Sequence, residues 1–389
     1  MANFIDLNSM IRFYLLTVLL FCVQPVFADA ADETGEPSAD SSPAGPAEPL
    51  VPDLREADNA LLAQKGDLVA DPIPLSSPTF GTGLVAAGAY FYPQNAEQKA
   101  SQPASFTGAA AAYTNNDSWA AGVGQQNYWD EDSWRFTGVA GYADFKFDLR
   151  DPATEGNTGL DWNVRGGFIQ GVLSRSIVGD WYLGGLLRYL DIEQDFDTSL
   201  PDGDYGIDSR IKSAGAGVIA EHDTRDVPTN AYTGRRFMAK AIFSTADGVE
   251  KENYQGYYIR LRSYHQLKQA PVVVAWDVNA CVKSGEIPLW DTCRINLRGF
   301  PLTDYLGKKS VSGQVEGRWR VWKRWGLVAF AGVGHITNSF SDQGENEYVP
   351  SFGGGVRWMV LQSKRVNVRV DYAVSKDSDA LYLGVAEAF

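Results

Sequence analysis

The residues Val311-Ser312-Gly313-Gln314-Val315-Glu316-Gly317-Arg318-Trp319-Arg320-Val321 alternate between apolar or small side chains and polar or charged ones. A period of two residues predicts a β-strand with one apolar face and one hydrated face. The stretch from Val366 to Ser375 repeats the pattern, and the chain ends on Phe389. Many such segments, apolar on one side and charged on the other, are typical of a transmembrane barrel with a wet interior. The sequence therefore predicts an all-β fold, a transmembrane antiparallel β-barrel.

The N-terminus has the layout of a secretory signal peptide. Arg12 precedes an apolar stretch, residues 13–23, that is too short to cross a bilayer as an ordinary helix. Small residues follow, so that cleavage after Ala28 or after Ala30 fits. We expect residues 1–28 to be the signal peptide. Residues 29–71 are rich in Ala, Pro and acidic residues and lack aromatic ones, which predicts a disordered periplasmic segment.

The rest of the chain, residues 72–389, is expected to form one barrel, because turn signals recur through it without a break. The strand-like segments after residue 83 are odd in number, whereas a bacterial barrel with both ends in the periplasm needs an even number. The stretch Ile73–Ser77, although it contains Pro74, supplies the missing edge strand. The prediction is 16 strands, with 14 as the alternative. The net charge of −14 and the pI near 4.7 argue against nucleic acid as a partner.

Cys281 and Cys293 are the only cysteines after the signal peptide, and they flank the start of the longest predicted loop. In an oxidising compartment this spacing predicts one disulfide at the base of that loop. Two free buried thiols are the alternative.

That loop contains Ile295-Asn296-Leu297-Arg298-Gly299-Phe300 and is followed by five predicted strands. The stretch Asp223–Pro228, followed by Thr233-Gly234, looks like a periplasmic turn. Together these features resemble the arginine-glycine-aromatic motif and the turn of the BamA/TamA superfamily of outer-membrane insertases and two-partner transporters, of the bacterial surface antigen type. The resemblance covers residues 72–389. It implies a multi-pass barrel in the outer membrane of a Gram-negative cell.

The resemblance also gives individual residues expected roles. It implies that Arg298, with Gly299 and Phe300, lies in the lumen, where Arg298 pairs with Glu316. The family often has a second acid on the following strand, and Gly332 stands at that position, so we expect a lock with one acid fewer. Alanine substitutions of Arg298 and Glu316 are then expected to have similar, non-additive effects. The alternative is a chance Arg-Gly-Phe tripeptide.

The C-terminal residues are expected to serve in assembly. Tyr382, Gly384 and Phe389 would form the signal that the barrel-assembly machinery reads during insertion of this chain.

Insertases of this family carry periplasmic POTRA domains, and residues 29–71 are too few and too polar for one. The resemblance therefore implies a barrel of the BamA/TamA type, and we expect it to assemble or transport protein or lipid without POTRA domains of its own. It would contact outer-membrane lipid and a separate periplasmic partner. A passive diffusion pore is the alternative, and a barrel hydrolase is a remote one.

An enzyme is not expected, because the chain has only three scattered histidines: His222, His265 and His335. His222 and Asp223 point to opposite faces of a strand, and His265 is expected at the wrong distance from Ser263 for a proton relay. We predict no metal site and no cofactor. The charged lumen residues could form a selectivity lining, although a salt-bridged, hydrated interior is the simpler interpretation.

Overall fold

The computed structural model describes residues 68–77, 79–150, 159–200, 203–227, 230–248, 250–300, 305–339, 348–362, 365–376 and 378–389. The predicted signal peptide and residues 29–67 of the predicted disordered segment lie outside the described residues.

Sixteen strands form the barrel wall, and one further strand of two residues, β12, lies inside. Their bounds are β1 Leu68–Ser77, β2 Gly81–Phe91, β3 Phe106–Thr114, β4 Trp119–Trp129, β5 Trp134–Arg150, β6 Gly159–Val178, β7 Trp181–Leu200, β8 Gly203–Asp223, β9 Gly234–Asp247, β10 Lys251–Gln266, β11 Val272–Gly285, β12 Cys293–Arg294, β13 Leu306–Trp322, β14 Trp325–Ser339, β15 Tyr348–Leu361, β16 Val366–Ser375 and β17 Asp379–Val385. A short helix, α1, spans Ala96–Ser101 between β2 and β3. Among the described residues, no helix has the length and apolar character needed to cross a membrane.

Each wall strand pairs antiparallel with its neighbours along the chain, and β11 pairs directly with β13. The barrel closes where β1 meets β17, so the prediction of 16 strands beginning with a proline-containing edge strand is confirmed. The closure differs from the other strand pairs. β1 pairs with β2 along its whole length, but its described pairing with β17 is the single residue pair Ser76 and Leu383. We call this β1–β17 contact the seam.

The outward face of β7 changes character along the strand. Leu183, Leu187 and Tyr189 point outward, and Leu187 is 70% exposed. The next outward positions are Asp191 and Glu193, which pair with arginines of the neighbouring strands. Because lipid accepts leucine and excludes carboxylates, the hydrocarbon boundary on this side of the barrel lies near Tyr189.

The inward face of β7 is buried and mostly apolar along the strand, and Arg188 is its one charged residue among the described positions. Arg188 is buried in the lumen, whereas Leu190, Ile192 and Phe196 beyond it are buried apolar residues. They belong to a core that also contains Phe80, Ala143, Phe145, Phe147, Trp162, Val164, Phe168, Trp290 and Leu306. Beyond the boundary, β5 to β8 therefore pack like a water-soluble sheet, with apolar side chains inside and charged ones outside.

Three strand ends are informative. β1 begins at Leu68, ahead of the expected boundary at residue 72, so residues 68–71 of the predicted disordered segment belong to a strand. β8 begins at Gly203, because residues 203–210 pair with the end of β7 despite their turn-like composition. β17 ends at Val385, short of Phe389, because Ala386 has φ +66° and turns the chain inward.

Candidate functional site

The loop between β11 and β13 folds back into the lumen. A single 3₁₀ turn, Leu289–Asp291, is followed by β12, which pairs with the start of β13. Cys281 of β11 and Cys293 of β12 form a disulfide with a Cα–Cα distance of 5.7 Å, so the structure contains the predicted bond rather than two free thiols. We call residues 286–300 the lumen loop.

Arg298 of the lumen loop lies against the inward faces of β13 and β16. Its guanidinium donates to Glu316, to Asp371 at 2.9 Å and to Gln314 at 3.2 Å. The guanidinium also lies 3.4 Å from the ring centroid of Phe330, and Glu316 has no exposed surface. The structure thus places Arg298 and Glu316 together, as the resemblance implied.

The second acid of this site is Asp371, which sequence reasoning missed because it considered only the strand after β13. Asp371 is fully buried on β16 and also binds Arg357 at 2.5 Å and Arg369 at 2.9 Å. The expectation of one acid fewer is therefore wrong. A Cβ at Gly332 would lie 2.9 Å from the Gly313 carbonyl oxygen and 3.0 Å from a Leu297 methyl group, so that position is reserved for close packing of the loop. The alternation of Arg369 and Asp371 on a predicted wet face was the available signal.

Gly299 and Phe300 fix the backbone of the motif. Gly299 has φ +99°, a conformation that favours glycine. Its N–H donates to the Tyr382 hydroxyl at 2.8 Å, and its carbonyl accepts from the Ser375 hydroxyl at 2.9 Å. Phe300 is buried in a cluster that contains Ile295, Leu297, Tyr305, Ile336 and Val349. Tyr382, predicted only as part of an assembly signal, therefore also holds the lumen loop in the folded protein.

A second anchor holds the other end of the lumen loop. Asp291 pairs with Arg188 of β7 and with Lys283 of β11. Trp290 is fully buried in the apolar core described above. Sequence reasoning did not identify this anchor; an aromatic-acid pair placed between two cysteines was the only available signal.

The C-terminal residues after β17 also enter the lumen. The Glu387 carboxylate accepts from Arg357 at 2.7 Å and from the Asn367 amide, and it lies 3.8 Å from Arg318. Phe389 packs with Ala231, Tyr232, Tyr264, Val273 and Ala275, and its backbone oxygen accepts from Arg318 at 2.7 Å. We call residues 386–389 the tail. Gly384, just before it, leaves room for the Arg369 side chain, whose Nε would lie 3.2 Å from an added Cβ.

The lumen loop and the tail share one ring of alternating charges. Glu316 binds Arg298 and Arg318, Asp371 binds Arg298 and Arg357, and Glu387 lies between Arg357 and Arg318. Three carboxylates and three guanidinium groups therefore form a closed circuit with excellent compensation of buried charge. We call these six residues the ionic ring.

The histidine geometry differs from expectation in one respect. Ser263 Oγ and His265 Nε2 are 3.0 Å apart and hydrogen-bonded, so the expectation of a wrong distance is incorrect. Both side chains share the outward face of β10 with the 51%-exposed Ile259, and His265 forms no carboxylate pair with any described residue. His222 contacts the ring of Trp181. Within the described ranges, no group of three or more His, Cys, Asp or Glu side chains is arranged to hold a metal ion.

No protein-family profile matches the chain, and no curated protein matches it in sequence. Solved structures match its fold. BamA from Haemophilus ducreyi lacking POTRA domains 1-3 superimposes with a TM-score of 0.54 at 12% identity, covering 83% of this chain and 70% of that chain. CdiB from Acinetobacter baumannii gives 0.53 at 10% identity, covering 84% of this chain but only 60% of that chain.

CdiB from Escherichia coli gives a TM-score of 0.51 at 10% identity, over 85% of this chain and 69% of that chain. All three agreements extend over more than four fifths of this chain. The chain therefore has the transmembrane barrel fold of BamA and CdiB.

Proposed function

We propose that this protein is a Gram-negative outer-membrane component that assembles or transports protein or lipid clients through its seam. In this proposal a separate periplasmic partner supplies the client-handling role of POTRA domains. The observation that carries the proposal is the seam, at which one described residue pair, Ser76 with Leu383, joins β1 to β17.

The seam is where opening this barrel requires the least free energy. Each backbone hydrogen bond contributes about 1 kcal/mol net, so a short ladder separates at much lower cost than a long one. Pro72 and Pro74 of β1 have no N–H to donate, and β17 ends at Val385 because the tail turns inward. In contrast, β1 pairs with β2, and β16 with β17, over the length of the shorter strand.

The interior argues against the alternative of a passive diffusion pore. Trp290 of the lumen loop joins an apolar core with residues from β5, β6 and β7, and Asp291 reaches Arg188 on β7. Near the other end, Phe389 of the tail packs against Tyr232 and Tyr264. Buried side chains of the lumen loop and of the tail thus occupy the lumen at two separate heights. This arrangement argues against a continuous water-filled channel.

A covalent lock on the seam tests the proposal. Cysteines at Ser76 and Leu383, which are Cα partners, can be oxidised to join β1 to β17. The matched control joins Ala109 to Val123, outward-facing Cα partners of the fully paired strands β3 and β4. We expect the seam-locked protein to reach the membrane but to fail to restore the envelope of a deletion strain, as measured by heat-modifiable outer-membrane proteins and by lipid asymmetry. The control should restore both.

Two outcomes would contradict the proposal. One is full complementation by the seam-locked protein. The other is steady conductance of the purified wild-type barrel in planar bilayers that locking leaves unchanged, which would favour the diffusion pore.

A further inference from the structure

The outer wall of β13 to β15 carries two cations without carboxylate partners, at the end of the barrel where β17 also ends. The two-residue turn between β13 and β14 is Lys323-Arg324, and both side chains are exposed. Arg324 donates to the Gln362 side-chain oxygen at 3.1 Å, and neither cation forms an ion pair with any described residue. The β4–β5 turn at the same end, residues 130–132, is acidic instead. The β13–β14 turn is therefore a local positive patch on an acidic protein.

The backbone of Lys323 has a conformation that favours a different residue. Its φ is +43°, in the left-handed region that glycine adopts readily and residues with a side chain rarely do. Glycine is the common choice at the first position of such a two-residue turn. Residues held in uncommon backbone conformations are concentrated at functional sites. Here the side chain places a second charge beside Arg324 at a position where glycine would fold more easily.

Tryptophans surround this turn. Four of the eleven are exposed on the ends of β13, β14 and β15 nearest to it: Trp319, Trp322, Trp325 and Trp358. Trp325 and Trp358 are Cα partners whose ring centroids lie 6.3 Å apart. The Lys323 ammonium lies 5.2 Å from the ring centroid of Trp322. Because tryptophan concentrates at the boundary between hydrocarbon and headgroups, the Lys323-Arg324 turn lies at the headgroup level.

A depression in the same wall lies closer to the middle of the membrane. Gly317, Ala329 and Gly354 are neighbours across β13, β14 and β15 on the outward face. Larger side chains border this row of small residues: Trp319, Leu327, Val356, Tyr372 and Leu381. At about 3.3 Å per residue and a strand tilt of about 40°, the six-residue step from Gly317 to Lys323 spans roughly 15 Å along the membrane normal, half of a hydrocarbon core of about 30 Å. An acyl chain attached to a headgroup at the turn would therefore reach the depression.

We propose that the outward face of β13 to β15 binds an anionic phospholipid of the phosphatidylglycerol type, from the leaflet nearest the β13–β14 turn. Lys323 and Arg324 contact its phosphate, the tryptophans contact its glycerol region, and one acyl chain occupies the depression. The choice of lipid follows from charge. Two cations without carboxylate partners complement a headgroup of net negative charge better than a headgroup whose own ammonium cancels its phosphate. This inference goes beyond the proposed function and does not depend on the seam.

The test uses the full chain in phosphatidylcholine vesicles and follows quenching of its tryptophan fluorescence by lipids with brominated acyl chains. Brominated phosphatidylglycerol is titrated into one sample and brominated phosphatidylcholine into another. Each cation near an anionic lipid contributes about a factor of five, so we expect the wild-type protein to prefer phosphatidylglycerol by at least about tenfold. In Lys323→Gly/Arg324→Gln this preference should fall below about twofold. Glycine fits the φ of Lys323, so the variant should fold.

Two double variants serve as controls. Lys323→Arg/Arg324→Lys keeps both charges in the turn and should keep the preference for phosphatidylglycerol. Arg165→Gln/Arg210→Gln removes two outward cations that already pair with carboxylates at the other end of the barrel. It should keep the preference as well, because those cations are compensated and lie away from the turn.

The proposal is overturned if both brominated lipids quench the wild-type protein equally, if Lys323→Gly/Arg324→Gln keeps the preference, or if either control variant loses it. Excess quenching by phosphatidylglycerol that survives replacement of Trp325 and Trp358 by Phe would place the lipid elsewhere and overturn it too. Should Lys323→Gly/Arg324→Gln fail to fold, native mass spectrometry of the wild-type protein decides. Retention of phosphatidylglycerol no stronger than that of phosphatidylcholine excludes the site.

Discussion

Removing Glu316 should destabilise the protein more than removing Arg298. From the sequence alone, the two alanine substitutions are expected to have similar effects. The ionic ring changes this expectation, because the two substitutions leave the remaining charges with different numbers of ion-pair partners. Without Arg298, the Glu316 carboxylate keeps Arg318 at 2.6 Å, and Asp371 keeps Arg357 at 2.5 Å.

Without Glu316, in contrast, two buried guanidinium groups lose a partner. Arg298 retains Asp371 and Gln314, while Arg318 is left with the Phe389 backbone oxygen and the more distant Glu387 carboxylate. Breaking a buried ion pair so that a charge is left uncompensated costs about 3–5 kcal/mol. Losing hydrogen bonds between groups that keep other partners costs about 1–3 kcal/mol. We therefore expect Glu316→Ala to lower the free energy of unfolding by about 3–5 kcal/mol. We expect Arg298→Ala to lower it by about 1–3 kcal/mol.

The measurement is urea unfolding of the purified barrel, followed by tryptophan fluorescence, for both single variants and the double variant. The double variant should lie close to Glu316→Ala alone, since the two residues contact each other. Arg165→Ala, exposed on the outward face, is the control and should change stability little. Equal losses in the two single variants, or a larger loss for Arg298→Ala, would refute the assignment of the ring.

Three further predictions concern the disulfide and the tail. Mass spectrometry of unreduced peptides should find Cys281 joined to Cys293, and replacing both by Ser should lower the free energy of unfolding by about 3 kcal/mol in the chain-entropy model. Glu387→Gln should loosen the tail by removing the carboxylate that accepts from Arg357, so that carboxypeptidase cleaves the C-terminus faster; an unchanged rate would show that packing alone holds it. Deleting Phe389 should lower the heat-modifiable fraction and destabilise the molecules that do fold, because the ring fills a buried pocket; wild-type yield and stability together would contradict both roles.

The barrel could be predicted because each strand leaves a local pattern in the sequence. A period of two along Val311–Val321 reports a strand with two different environments, and parity of the chain ends requires an even number of strands. The lumen position of Glu316 followed from the same alternation. The disulfide could be predicted for a similar reason, because Cys293 lies only 12 residues after Cys281 in the chain.

Contacts across the lumen could not be predicted in this way. Asp371 and Arg298 are far apart in sequence, and their meeting depends on barrel closure and strand stagger, which no local pattern encodes. Arg188 and Asp291 meet for the same reason. The turn at Ala386 was not predicted, although Glu387 interrupts the apolar face formed by Leu381, Leu383 and Val385 and was the available signal. Buried counter-charges for Glu387 outweigh further strand pairing at that point.

The change along the outward face of β7 has a consequence for substitution tolerance. Asp at Leu187 would place a carboxylate in hydrocarbon, whereas Leu at Asp195 would only add an apolar group to a wetted surface. On the inward side no such change occurs, since a polar replacement would be buried at Leu186 as it would be at Ile192. The outward face of a single strand thus obeys opposite substitution rules on either side of Tyr189, and natural variation should be freest on the charged outer surface beyond it.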